Sequence, residues 1–215
     1  MITITAYQWV PPFAQGLVRD LRPRWALEEA GLPYRVNLIA HPDRLTPEHI
    51  AKQPFAQIPV YEENGLVLFE SGAILLHIAE KSEVLLPKDA AARAHAIQWI
   101  FAALNSLEQF VHNYVFLSFY PNEEWAKLRK PSAREELVGR LKQLSQRLGN
   151  REYLEGRFTA GDLMMASVLR ILRDTDVLDQ FPNLAEYRKR CEARPTFQKA
   201  LADNLVPYEK YAPAA

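Results

Sequence analysis

The stretch Gln57–Ile78, QIPVYEENGLVLFESGAILLHI, constrains the fold more than any other part of the chain. Two apolar runs, Val60–Glu62 and Leu66–Phe69, flank Glu63-Asn64-Gly65. Asn-Gly accepts positive φ at two successive positions, and turns of that kind match the twist of paired strands. The pattern predicts a hairpin there. Gly72–Lys81 then reads as a helix, with Ser71 placed as its N-cap. An Ile58-Pro59 pair stands at the entry to this segment, and an acid-serine pair, Glu70-Ser71, at the mouth of the helix.

Upstream, strand and helix alternate. Ile2–Ala6 has period-2 alternation, Arg24–Ala30 is a helical run, and Gly31 sits where helices end. Tyr34–Ile39 reads as a second strand. Thr46-Pro47-Glu48-His49 fits a helix start, with proline one place after a capping threonine. The order is β-α-β-α-β-β-α, a parallel pair extended by an antiparallel edge.

From Asp89 onward the strand signals vanish. Asp89 can cap a helix carrying Ile97, Trp99, Ile100 and Leu104, and Arg134–Leu148 is a second long amphipathic run. Thr159-Ala160-Gly161-Asp162 reads as a capping box, with Phe158 and Leu163 placed for a hydrophobic staple. Pro182 and Pro195 open two further helices. Residues 1–82 are expected to form an α+β domain, 83–88 a linker marked by Pro87, and 89–215 an all-α helical bundle.

Composition narrows the function. Lys+Arg and Asp+Glu both number 26, so the net charge is zero. That balance argues against a nucleic-acid partner. Cys191 is the single cysteine and has no internal disulfide partner. His41, His49, His77, His95 and His112 share no metal-ligand spacing, so no metal is expected. Met1–Ala6 runs straight into strand-like alternation, and no apolar run nears the roughly 18 residues of a membrane span. A cytoplasmic protein is expected.

The chemistry sits around the hairpin. Alone, Ile58-Pro59 reads as an ordinary trans proline in a loop; a cis bond would bend the chain and expose the backbone of Ile58. Exposed N–H and C=O groups there would pair with a peptide as a short extra strand. A helix start at Ser71 attracts a carboxylate, and Glu70 beside it would meet an ammonium. The alternative is a simple cap with a solvated glutamate.

Taken together, these parts resemble the glutathione transferase (GST) family of the cytosolic bacterial type. The run from Pro54 to Ile74 is similar to that family's thioredoxin-like signature, most like the phi and theta branches. Thr159–Asp162 resembles its helical-domain capping motif, and Arg194-Pro195 with Gln198–Leu201 its C-terminal pattern. The resemblance implies a thioredoxin-like domain followed by a helical bundle, with glutathione as co-substrate and no other cofactor. It implies a cis Pro59, with Ile58 binding the cysteinyl part of glutathione. Glu70 and Ser71 would hold the γ-glutamyl end, Gln57 would lie near that end or the backbone, and Arg44 falls where some members use a basic residue for the glycine carboxylate. It also implies a homodimer, with Phe55 at a position that some branches insert into the partner subunit.

The activating group is less clearly marked. Counting back from Gly31, the serine of phi- and theta-like members falls on Leu17, which has no hydroxyl. Gln8–Gly16 reads as an insertion carrying Pro11-Pro12. Tyr7 ends the first strand, as the tyrosine of other branches does, and Arg19 falls where some of those members carry arginine. The candidates for lowering the thiol pKa are Arg19, Tyr7 or a loop N–H. No cysteine lies in residues 1–86, which argues against chemistry through an enzyme thiol.

The electrophile would lie between the domains, against an aromatic zone that includes Phe110, Tyr114, Phe116, Phe119, Tyr120 and Trp125. Tyr114 and Phe119 are the expected pocket residues. The expected function is conjugation of the glutathione thiolate to a small apolar electrophile. The alternatives are glutathione-dependent reduction of a peroxide or disulfide, and a binding protein that keeps the fold without turnover.

Overall fold

The structure, a computed structural model, describes residues 1–213. Residues 214 and 215, the end of the expected helical domain, lie outside it. The chain divides into two compact units. The first is Met1–Leu85 together with the chain from Arg194 on; the second is Leu86–Ala193.

The first unit runs β1 (Ile2–Tyr7), α1 (Leu21–Ala30), β2 (Tyr34–Ile39), α2 (Pro47–Lys52), β3 (Tyr61–Glu63), β4 (Leu66–Leu68) and α3 (Ser71–Ala79). This is the expected β-α-β-α-β-β-α order. The sheet order is β2-β1-β3-β4, with β1 parallel to β2 and the β1–β3 and β3–β4 pairs antiparallel. Ile4, Ala6, Trp25, Leu27, Val60, Ile74, Leu75 and Ile78 are buried in its core. Asn64 and Gly65 have φ of 50° and 86°, the double positive that the hairpin turn requires. Gly31 closes α1 at φ 64°.

Two boundaries differ from expectation. Helix α1 begins at Leu21 rather than Arg24, with Pro23 in its first turn, where a missing N–H breaks no hydrogen bond. Ser71 is the first residue of α3 rather than its cap. Glu70 holds the cap position at φ 69°, so the chain turns into the helix one residue early and the Ser71 side chain is taken up elsewhere.

The second unit contains α4 (Ala90–Phe101), a π-helical segment (Ala102–Glu108), α5 (Gln109–Phe116), α6 (Glu124–Leu148), α7 (Ala160–Arg170) and α8 (Pro182–Glu192). Asp89 caps α4, its Oδ1 accepting the Ala92 N–H at 2.8 Å. Helix α6 starts ten residues before the expected Arg134 and runs through Pro131. Its buried Leu137, Leu141, Leu144 and Leu148 carry the apolar face that holds it.

The expected capping box opens α7. Thr159 Oγ1 accepts the Gly161 N–H at 3.2 Å, and the Asp162 carboxylate accepts the Thr159 N–H at 2.9 Å. Asp162 also accepts the Leu154 N–H and the Tyr187 hydroxyl, each at 2.9 Å. Burial pushes its pKa up against these donors. Gly161 lets α7 lie against α4: a Cβ there would stand 2.5 Å from Trp99 Cβ and 3.0 Å from the Ala96 carbonyl oxygen.

The last helix, α9 (Pro195–Lys210), belongs to the first unit and packs on α1. Trp25 and Phe197 meet edge to face at 4.8 Å. The Arg194 guanidinium makes two bonds to Glu29, at 2.6 and 2.8 Å, and Lys199 reaches Glu28 at 2.8 Å. One passage between the units lies at Leu85–Leu86. A second passage lies at Ala193–Arg194, because Phe197 finds its apolar partner on α1.

Candidate functional site

Four of the candidate residues, Ile58, Pro59, Glu70 and Ser71, lie at one end of the β3–β4 hairpin. Tyr61 pairs with Leu68, so Ile58-Pro59-Val60, entering β3, and Phe69-Glu70-Ser71, leaving β4, lie at the same end. The Ile58–Pro59 peptide is cis. The Val60 carbonyl accepts the Thr5 N–H at 2.8 Å, which ties the bend to β1. Among the described residues, neither backbone group of Ile58 has a hydrogen-bond partner. Gln57 is exposed, and its backbone carbonyl accepts from Nε2 of the buried His49 at 2.7 Å.

On the helix side, Glu70 is exposed and Ser71 buried. Arg22, itself buried on α1, donates from Nη1 to Ser71 Oγ at 3.1 Å. Arg44 lies on the 3-10 turn His41–Leu45. Its Nη1 donates to the Ala56 carbonyl at 3.3 Å, and its buried Nε has no partner among the described residues.

Tyr7 ends β1, half-buried, with its ring 5.3 Å from that of His41. Burial pushes its hydroxyl pKa up; Arg44 pulls it down and Asp20 adds to the rise. At neutral pH the hydroxyl is therefore a donor. The segment that follows, Gln8–Gly16, forms a 3-10 turn at Pro12–Ala14, and Gln15 Nε2 donates to the Val10 carbonyl at 3.2 Å. Leu17 and Arg19 are half-buried in the turn before α1.

Asp20, Arg22 and His49 escaped the sequence reading. Arg19-Asp20-Leu21-Arg22-Pro23-Arg24 looks like a solvated charge run, yet Asp20, Arg22 and Arg24 are buried. The available signal was the i,i+4 spacing of Asp20 and Arg24. Asp20 Oδ2 accepts from Asn204 Nδ2 at 3.0 Å and from Arg24 Nη1 at 3.4 Å. Its Oδ1 has no partner among the described residues. Burial pushes the Asp20 pKa up to about 6, with Arg24 and Asn204 opposing the shift.

On the second unit, Tyr114 is buried in the helical core while Phe119 is half-exposed. Beside Phe119, an exposed chain of rings runs from Phe116 to Tyr120 at 5.0 Å and on to Trp125 at 5.2 Å. Among the described residues, no group of three or more His, Cys, Asp or Glu side chains could hold a metal ion, and no helix is long and apolar enough to cross a membrane. Cys191 is buried on α8.

Comparison with known proteins agrees with this geometry. Residues 4–80 match the glutathione S-transferase N-terminal domain, and residues 108–204 a glutathione S-transferase C-terminal domain. Glutathione S-transferase 1 of Zea mays is 30% identical, over 82% of this chain and 88% of its own. The disulfide-bond oxidoreductase YfcG of Escherichia coli is 27% identical, over 81% and 86%. A glutathione transferase family member from Pseudomonas fluorescens, solved with two glutathione bound, superposes with a TM-score of 0.80 at 27% identity, over 93% of this chain and 92% of that one.

Proposed function

The chain belongs to the glutathione S-transferase family, and from that premise we propose that it binds glutathione and transfers its thiolate to a small apolar electrophile. The observation that carries this reading is the unpartnered backbone of Ile58 beside the cis Pro59, at the same end of the hairpin as Glu70 and Ser71. The cysteinyl backbone of glutathione pairs with Ile58 as a short added strand. Glu70 takes the γ-glutamyl ammonium, and Ser71 with the start of α3 takes its carboxylate. Gln57 lies beside the peptide. Arg44, with its unpartnered Nε, meets the glycine carboxylate.

The thiol must lose its proton to react. A hydroxyl that stays protonated, as Tyr7 does, can donate to the sulfur anion, and Arg19 supplies positive charge from the turn before α1. The sulfur lone pair then forms the new bond to carbon while the leaving group departs with its electrons. Phe119 offers an apolar surface for the electrophile, and Tyr114 supports it from the helical core.

Isothermal calorimetry with glutathione, followed by the ultraviolet thiolate band of the bound peptide against pH, tests the reading. Saturable binding with a thiol pKa below its solution value is expected. Absence of saturable binding ends the proposal, and an unshifted thiol leaves a binding protein without turnover. Relatedness to YfcG favours a second reaction on the same site, in which two glutathione thiols reduce a disulfide or peroxide. Turnover of an organic peroxide in preference to an aryl halide would select it.

The working form is a cytoplasmic homodimer. Phe55 is 64% exposed, with its ring 6.1 Å from Phe69. The helical unit holds a pocket of about 250 Å³ whose lining combines Trp99, Leu107, Leu144 and Met165 with Arg140, Gln143 and Arg147. We place Phe55 of one copy in that pocket of the other, where burying the ring contributes about 2 kcal/mol per site. Light scattering of F55A measures this: the variant is expected to shift toward monomer, and a wild type of monomeric mass rules the arrangement out.

A further inference from the structure

Side chains from α2 and its flanks hold the chain that leads into Ile58. Gln53 Oε1 accepts the Phe55 N–H at 2.6 Å. Arg44 Nη1 donates to the Ala56 carbonyl at 3.3 Å, and His49 Nε2 lies 2.7 Å from the Gln57 carbonyl oxygen. A carbonyl only accepts, so Nε2 carries the hydrogen. Gln53 and His49 are both buried. Ala56 stands at φ 53°, which a residue with a Cβ adopts only under constraint. Phe55, Ala56 and Gln57 are thus each bound through the backbone, and Ala56 is held out of its ordinary conformation.

The bond from His49 acts on the residue proposed to meet glutathione. The Gln57 carbonyl and the Ile58 N–H belong to one peptide unit. That unit is planar and trans, so its two polar groups point in opposite directions. Holding the oxygen therefore aims the N–H. Beyond Pro59, the Val60 carbonyl accepts the Thr5 N–H at 2.8 Å. The backbone of Ile58 lies between these two fixed points, one on α2 and one on β1. His49 is itself placed by its helix: Thr46 Oγ1 accepts its N–H at 3.3 Å, and its carbonyl accepts the Gln53 N–H at 2.8 Å.

We propose that His49 is a positioning residue for glutathione, its Nε2–H setting the plane of the Gln57–Ile58 peptide so that the Ile58 N–H meets the backbone carbonyl of the cysteinyl residue. The inference rests on the glutathione reading above. Without the donor the peptide plane is free to turn, and the added strand loses the alignment that its hydrogen bonds need. His49 takes no part in the transfer of the thiolate. Its loss therefore weakens the hold on glutathione and leaves the chemical step as it was.

The test is calorimetry with glutathione on H49F and H49Q. H49F keeps a ring and removes the donor, whereas H49Q places an amide N–H where Nε2 stands. The dissociation constant is expected to rise about tenfold in H49F and to stay within about threefold of wild type in H49Q. With chlorodinitrobenzene as acceptor, the KM for glutathione is expected to rise in H49F while kcat holds. Circular dichroism checks folding, and H49L stands in if H49F does not fold. Lost packing would not be rescued by the amide, so equal weakening in both variants overturns the proposal. An H49F that binds like the wild type, or one that loses kcat with KM unchanged, overturns it too. Each of these results leaves the glutathione reading intact. A wild type without saturable glutathione binding removes both.

Discussion

Arg22 Nη1 donates to Ser71 Oγ at 3.1 Å, joining α1 to the first residue of α3 with both side chains buried. The bond fixes the hydroxyl that the γ-glutamyl carboxylate is proposed to meet. Replacing Ser71 with alanine deprives a buried guanidinium of that acceptor. S71A is expected to lose about 1–3 kcal/mol of stability in urea titration, and to bind glutathione more weakly. A variant with wild-type stability and affinity would show that the bond holds nothing in place.

Glu70 acts by charge. E70Q keeps the shape of the side chain but loses the charge-assisted bond to the ammonium of glutathione. Such bonds contribute about 1.5–3 kcal/mol, so the dissociation constant is expected to rise roughly tenfold to a hundredfold. Calorimetry reads the change directly, and an unaltered constant would send the ammonium elsewhere.

Asp20 makes stability depend on pH. Its folded pKa is about 6, above the 3.8 it starts from, so the native state holds the proton more tightly than the unfolded chain. Between those values the native state binds more protons, and stability falls as pH rises. Above about 6 the loss is complete, amounting to about 3 kcal/mol. D20N cannot titrate. The stability difference between wild type and D20N, followed by denaturant unfolding from acid to neutral pH, should change across that window in favour of D20N. A difference that stays constant with pH would mean that the carboxyl is not protonated there.

Gly161 sits where no side chain fits. In G161A the new methyl would stand 2.5 Å from Trp99 Cβ, and both it and the nearby Ala96 carbonyl belong to helix α4. Overpacking of this kind costs about 1–3 kcal/mol, and more where backbone must move. A drop in melting temperature by circular dichroism is expected, and G161A melting with the wild type would refute the close approach.

The parts of the fold legible in the sequence were those set by local chemistry. Asn64-Gly65 announced the hairpin, Asp89 and Thr159–Asp162 announced their helices, and Gly31 announced the end of α1. Each signal works through the backbone of a few adjacent residues. The start of α6 was hidden because Pro131 reads as a break, whereas apolar packing farther along carries the helix through it. The attachment of α9 to α1 was hidden because Trp25 and Phe197 lie far apart in the chain. In the candidate site, Ile58, Pro59, Glu70 and Ser71 could be found from one contiguous segment. Arg22 and Asp20 could not, since a charged residue gives no local sign that a distant helix will bury it.

The return of α9 to α1 bears on how the protein is made. Everything from Leu86 to Ala193 leaves the ribosome before the helix that covers Trp25 does. The unit that begins the chain is therefore the last to be completed during synthesis. Until then, its nascent form presents the bare Trp25 face of α1 to whatever chaperone or neighbouring chain reaches it first.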